Sequence, residues 1–248
     1  MDELVLREER DGLCTLTLNR PAKLNALGHA SFVLLEKYAD DIARSTDRIG
    51  CVVLRGAGRS FCAGHDLDDI ASGAETGAVV KHESLVVERL ANLPQPLIVA
   101  VHGHCMTGGL ELALAGDIII AAESAKFADT HAKWDLVPVW GLSQRLPRRV
   151  GRARAVEMMF ASRTYSGRQA EAMGLANFCV PDADFDAAVE AFAREILANA
   201  WRANRENKKL VADTDGMELQ AGLAHEVFRS AGRGPEMPAR IARMRQKK

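Results

Sequence analysis

Cysteine is scarce and poorly spaced for cross-linking. The five copies, Cys14, Cys51, Cys62, Cys105 and Cys179, are odd in number and contain no CxxC pair. Neither a disulfide framework nor a zinc cluster is indicated, no metal is expected, and a reducing cytoplasmic setting fits best. An excess of either charge is also missing, since Lys+Arg 32 against Asp+Glu 33 leaves a formal charge of −1. That balance provides no broad basic field for a nucleic-acid backbone or an anionic membrane. No apolar run approaches the ~20 residues needed to cross a bilayer. The start, Met1-Asp2-Glu3-Leu4, has neither the basic residues nor the apolar stretch of a signal peptide. A soluble intracellular protein is expected. Also lacking are a low-complexity linker, a repeat of fixed length, the Gly-Lys-Ser/Thr ending of a phosphate loop and a GxGxxG turn, which removes most support for nucleotide hydrolysis or NAD chemistry.

What is present is the balance of an ordinary globular protein: 248 residues, 48% hydrophobic and 26% charged. Length allows one large α/β unit or two small ones. Alternation over Cys14 to Asn19 predicts a half-buried strand, stopped by Arg20-Pro21. Leu27, Ala30, Leu34 and Tyr38 then fall on one helical stripe, and Cys51 to Leu54 reads as a buried strand. The order repeats. Leu85 to Leu93 reads as helix, Leu97 to Val101 as strand, the segment from Gly108 as helix and Asp117 to Ala121 as strand. Such alternation predicts an α/β core with crossover connections. Past Gly151 the chain is mostly helical, over Arg152 to Ala161, Asp184 to Ala198, Trp201 to Val211 and Met217 to Ser230, with one strand in Leu175 to Val180.

Two glycine-bearing turns follow buried strands. The first is Arg59-Ser60-Phe61-Cys62-Ala63-Gly64-His65-Asp66-Leu67, a small-residue turn that exposes backbone N–H groups. Its plainest reading is a connection in which Asp66 caps the next helix. The second, His102 to Glu111, runs through Gly108-Gly109 into a helix, where a ligand can approach the backbone and the first N–H groups lack intrahelical partners. Helix polarity there favours an oxygen that becomes anionic during reaction. Glu111 lies about one turn further along the same face. A base beside an anion hole is one reading; a glycine-rich helix start with a solvated glutamate is the other.

In order along the chain, Asn19 to Leu27, Phe61 to Leu67, Gly103 to Asp117, Phe127, Pro138, Gln144-Arg145-Leu146, Gly151-Arg152-Ala153 and Ala170 to Ala176 resemble the signatures of the crotonase, or enoyl-CoA hydratase/isomerase, superfamily. The resemblance covers about residues 3 to 200. It implies an α/β fold, a spiral core of β-β-α turns over 1–195 that binds acyl-CoA, with a helical oligomerisation region over 196–248, and assembly as a homotrimer or a dimer of trimers. The substrate would be an acyl-CoA thioester, with coenzyme A part of the substrate and no separate cofactor. The backbone N–H groups of His65 and Gly108 would stabilise a thioester enolate. Ala63, Gly64, Asp66 and Leu67 would line the thioester site, and Lys23 would lie near the CoA phosphates.

Hydratases of this family use two glutamates to hold and activate water. Glu111 matches the first; His131 stands at the position of the second. A histidine there can still hold water or move a proton, and Asp129 and Asp135 are nearby carboxylates able to substitute for the glutamate or orient the ring. Trp140 replaces part of a glycine-rich turn and reads either as core packing or as a wall that reshapes the acyl pocket. The expected activity is hydration of a trans-2-enoyl-CoA. Isomerisation, decarboxylation or hydrolysis through the same enolate, and non-catalytic acyl-CoA binding, are the alternatives. The basic tail Arg240 to Lys248, with Lys208 and Lys209, reads either as CoA-phosphate contacts or as solvated helix surface.

Overall fold

The computed structural model describes residues 3–71 and 76–246. Among these the chain runs through β1 (Val5–Arg10), β2 (Leu13–Leu18), α1 (His29–Arg44), β3 (Cys51–Gly56), α2 (Leu67–Ala71), α3 (Gly77–Ala91), β4 (Leu97–Val101), β5 (His104–Met106) and α4 (Gly108–Ala113). It continues with β6 (Ile118–Ala122), β7 (Lys126–Ala128), α5 (Leu142–Val150), α6 (Arg152–Ala161), β8 (Tyr165–Ser166), α7 (Gly167–Ala172) and β9 (Phe178–Val180). The end is helical: α8 (Phe185–Ala198), α9 (Trp201–Thr214), α10 (Leu219–Arg229) and α11 (Met237–Gln246).

The main sheet has the order β1-β2-β3-β4-β6-β9, antiparallel only at β1-β2 and parallel beyond. Its central strands are buried on both faces, which is why they read as unbroken apolar runs. Alternation divides them between two cores. Val52, Leu54, Leu97, Val99 and Val101 join the larger cluster with Phe32, Leu35 and Leu90 of the covering helices. Cys51, Val53, Ile98 and Ala100 face Phe185, Val189 and Ala193 of α8.

A second, smaller sheet, β5-β7-β8, lies after the ends of the large one. Single bridges between Leu27 and His65 and between Cys62 and Cys105 extend this layer. Each spiral turn therefore adds one long strand to the main sheet and one short strand to the layer that carries the glycine turns.

Several expectations need correction. α1 starts only after Gly28, so Leu27 belongs to the bridge with His65; the buried helical face is Phe32, Leu35, Tyr38, Ala39 and Ile42, with Ala30 exposed. α3 begins at Gly77, eight positions before the Leu85 start read from the sequence, because Thr76 caps it by accepting from Val79 N–H at 3.3 Å. β1 was not legible: its charged sequence VLREER leaves most of the strand exposed, as suits a sheet edge.

Candidate active site

Both glycine turns come together. Phe61 N–H donates to His102 O and Cys62 N–H to His104 O, while Met106 N–H returns a bond to Cys62 O. On the other side Leu27 N–H donates to Gly64 O and Asp66 N–H to Leu27 O. These bonds hold residues 61–66 as a short extended segment between Leu27 and β5. A Cβ added to Gly108 would lie 3.3 Å from the His65 nitrogen, and one added to Gly64 would lie 3.5 Å from the Gly108 nitrogen. The two amides thus border one small space. Gly108 has to be glycine, because its Cβ would also come within 2.5 Å of the Trp140 ring.

The residue that aims Gly108 is Thr107, whose φ of 52° and ψ of −109° are strained for a side chain with a branched Cβ. Its N–H donates to Ala128 O at 2.8 Å, its hydroxyl pairs with that of Thr130 at 2.5 Å, and Thr130 N–H donates to the Thr107 hydroxyl. Sequence reasoning missed both threonines. A threonine directly before a Gly-Gly helix start was the available signal.

Glu111 is buried within α4 rather than solvated. Its Oε1 accepts from Trp140 N–H at 2.8 Å and from Leu142 N–H at 3.2 Å, which leaves Oε2 facing His131 Nε2 at 3.6 Å. Burial pushes this carboxyl above its ordinary range, while the neighbouring His131 and the two backbone donors pull the other way without prevailing. His131 Nδ1 meets Asp129 Oδ1 at 2.6 Å, and the same oxygen accepts His131 N–H at 3.2 Å. Asp129, His131 and Glu111 form one buried chain. Asp135 lies exposed and outside it.

A cavity of about 320 Å³ opens over this chain, within the usual range for a small-molecule site. Ala63, His65, Gly108, Glu111, His131 and Trp140 line it, as do apolar groups including Val80, Met106 and Leu136. Gly64 and Asp66 do not line it; they shape the turn beside it. Asp66 accepts from Arg20 at 2.8 Å and Lys23 at 3.1 Å, and caps α2 through Asp68 N–H. Burial works to raise the Asp66 carboxyl, but these cations outweigh it and hold it low. Lys23 bridges Asp66 and Asp68. The Leu67 side chain lies outside the described residues. Trp140 both packs and walls the site: it is 3% exposed, with its ring edge-on to Phe32 and His65. Lys208 is a structural cation, donating to Asp117 at 2.7 Å and to Gln95 O, and Lys209 pairs with Asp213. Residues 247 and 248 of the basic tail lie outside the described residues. Among the described residues no group of His, Cys, Asp and Glu side chains is arranged to hold a metal ion, and no helix is long and apolar enough to cross a membrane.

The strands thus wind as a spiral of β-β-α turns, with the His65 and Gly108 amides close to the buried Asp129–His131–Glu111 chain. Residues 8–230 match the enoyl-CoA hydratase/isomerase family, and the chain belongs to that family. It is 35% identical over 244 residues to 1,2-epoxyphenylacetyl-CoA isomerase of Escherichia coli (strain K12), covering 95% of this chain and 93% of that one. It is 36% identical over 236 residues to the mitochondrial methylglutaconyl-CoA hydratase of Homo sapiens, covering 91% and 69%. The crystal structure of an enoyl-CoA hydratase from Bacillus anthracis superimposes with a TM-score of 0.93 at 29% identity, covering 99% of this chain and 97% of that one.

Proposed function

We propose that the enzyme adds water across the 2,3 double bond of a trans-2-enoyl-CoA. The observation that carries this reading is the Asp129–His131–Glu111 chain at the two converging amides. The thioester oxygen would accept from His65 and Gly108 N–H, which stabilise the enolate as charge develops. Asp129 holds the Nδ1–H of His131, so the Nε2 lone pair faces Glu111. Nε2 and Glu111 Oε2, 3.6 Å apart, are too far for a good hydrogen bond, yet one water about 2.8 Å from each would sit to the side of the line joining them.

In the reaction the water oxygen bonds to C3 while His131 Nε2 takes one of its protons. The C2–C3 π pair moves into the enolate, which then takes a proton at C2 from the Glu111 carboxyl, kept protonated more readily by its burial. Transfer of the proton from His131 to Glu111 restores both groups, so the net change is the addition of one water. No cofactor beyond the substrate's own coenzyme A is required. Free, buried cysteines support action in a reducing compartment such as the cytoplasm.

The presence of histidine where hydratases carry a second glutamate supports one other reading, isomerisation, in which the same pair moves a proton between C2 and C4. Crotonyl-CoA and longer or aromatic enoyl-CoAs incubated in H₂¹⁸O separate the two. Hydration gives a 3-hydroxyacyl-CoA carrying ¹⁸O. Deuterium entering C2 or C4 from D₂O without a hydroxylated product overturns hydration in favour of isomerisation.

A further inference from the structure

His65 stands between two chambers. It lines both the 320 Å³ cavity and a neighbouring one of about 350 Å³, and its ring lies between Trp140 of the first and Glu83 of the second. The second chamber is bounded by His29 and Ser31 at the start of α1, by Val79 and Glu83 of α3, and by Leu4 and Asp69. Consecutive residues of α3 face different sides: Val80 lines the first chamber and Val79 the second.

The ring is held on two sides. Its centroid is 5.1 Å from that of Trp140, edge to face, and Trp140 is backed by Phe32 at 4.7 Å. From α3 the fully buried Glu83 places Oε2 3.9 Å from His65 Nε2, and Glu83 Oε1 is 3.7 Å from Nδ1 of His29.

We infer that the side chains of His65 and Trp140 form a partition that ends the acyl cavity, so that the enzyme selects compact acyl groups and rejects straight chains long enough to enter the second chamber. The inference rests on the reading that an acyl-CoA occupies the first cavity. It assigns the His65 side chain a role in specificity distinct from that of its N–H. Removing the ring leaves the N–H in place and joins the chambers. Each methylene that then leaves water contributes about fourfold in affinity, so two admitted past the partition change selectivity by more than about tenfold.

Calorimetric titration of the full-length chain with butyryl-CoA and octanoyl-CoA, both saturated, reads this without turnover. In His65→Ala and His65→Ser the affinity ratio moves toward octanoyl-CoA by more than about tenfold, whereas His65→Phe, which keeps the bulk, retains the wild-type ratio. An unchanged ratio in the Ala and Ser variants, or a Phe variant that shifts as they do, overturns the partition while leaving acyl-CoA binding intact. If neither thioester binds the wild-type chain, the acyl-CoA reading fails and the partition falls with it.

Discussion

Asp129→Asn tests the part of the site that most separates this chain from a two-glutamate hydratase. Asp129 Oδ1 accepts from His131 Nδ1 at 2.6 Å, with the two side chains 1% and 9% exposed, so the bond is charge-assisted and nearly dry. Such a bond contributes about 1.5–3 kcal/mol. Asparagine keeps the shape but offers the ring an amide. If its N–H₂ turns toward Nδ1, the ring proton moves to Nε2, and the nitrogen facing Glu111 can no longer accept a proton from water. The loss in kcat is then about 10²–10⁴-fold. Asp129 does not line the cavity, so KM stays within about twofold. The second bond, from His131 N–H to Asp129 Oδ1, also weakens, and a cost of about 1–2 kcal/mol lowers Tm by a few degrees in a chain of this size. Steady-state kinetics on the enoyl-CoA that the wild type hydrates, with a thermal melt beside it, read all three. A variant with wild-type kcat, or one in which KM alone rises, refutes the orienting role of Asp129.

Glu111→Gln should cost about 10²–10⁴-fold in turnover while making the fold more resistant to heat at alkaline pH. Burial raises the folded-state pKa of Glu111 above its unfolded value, so its contribution to stability is fully present below the unfolded value and is lost as pH rises through the folded one. The Tm advantage of Gln is therefore present at pH 8 and closes as pH falls toward the ordinary glutamate value of about 4.3; a margin independent of pH contradicts this. In Gly108→Ala the new methyl meets the Trp140 ring at 2.5 Å beside the His65 nitrogen, and kcat/KM is expected to fall about 10²–10³-fold, with loss of fold excluded by circular dichroism. Leu219, Leu223 and Val227 repeat along one exposed stripe of α10, with Phe228 beside them. A trimeric assembly, proposed from the family resemblance, would cover such a stripe. Light scattering should then give three chains, or six, for the wild type and one for Phe228→Asp; a monomeric wild type counts against the assembly.

The main strands were legible because they are buried on both faces, and a buried run such as Cys51 to Leu54 or Leu97 to Val101 has no polar alternation to obscure it. The short strands were not. His104–Met106 and Tyr165–Ser166 are held by bonds to distant segments, and two or three residues carry no measurable period. The same reason hid the Leu27 bridge to His65 and displaced the expected face of α1. At the site, Gly108, Glu111, His65 and His131 were visible as residue types at telling places. Thr107 and Thr130 were not, since a strained φ and a hydroxyl pair 23 positions apart leave no mark on composition.

The sequence alone determined that this is an α/β chain with two glycine turns after buried strands, a glutamate one helical turn beyond the second and a histidine where a second glutamate was expected. These follow from local patterns and from ordered motifs. Only the tertiary structure decided that the turns face one another, that Glu111 is buried with one oxygen fixed by backbone donors, and that Asp129 rather than Asp135 holds the histidine. The first two join groups from different turns of the spiral, and the third depends on how the chain after β7 is packed. Burial and distance, which set charge state and hydrogen-bond direction, exist only once those turns are stacked.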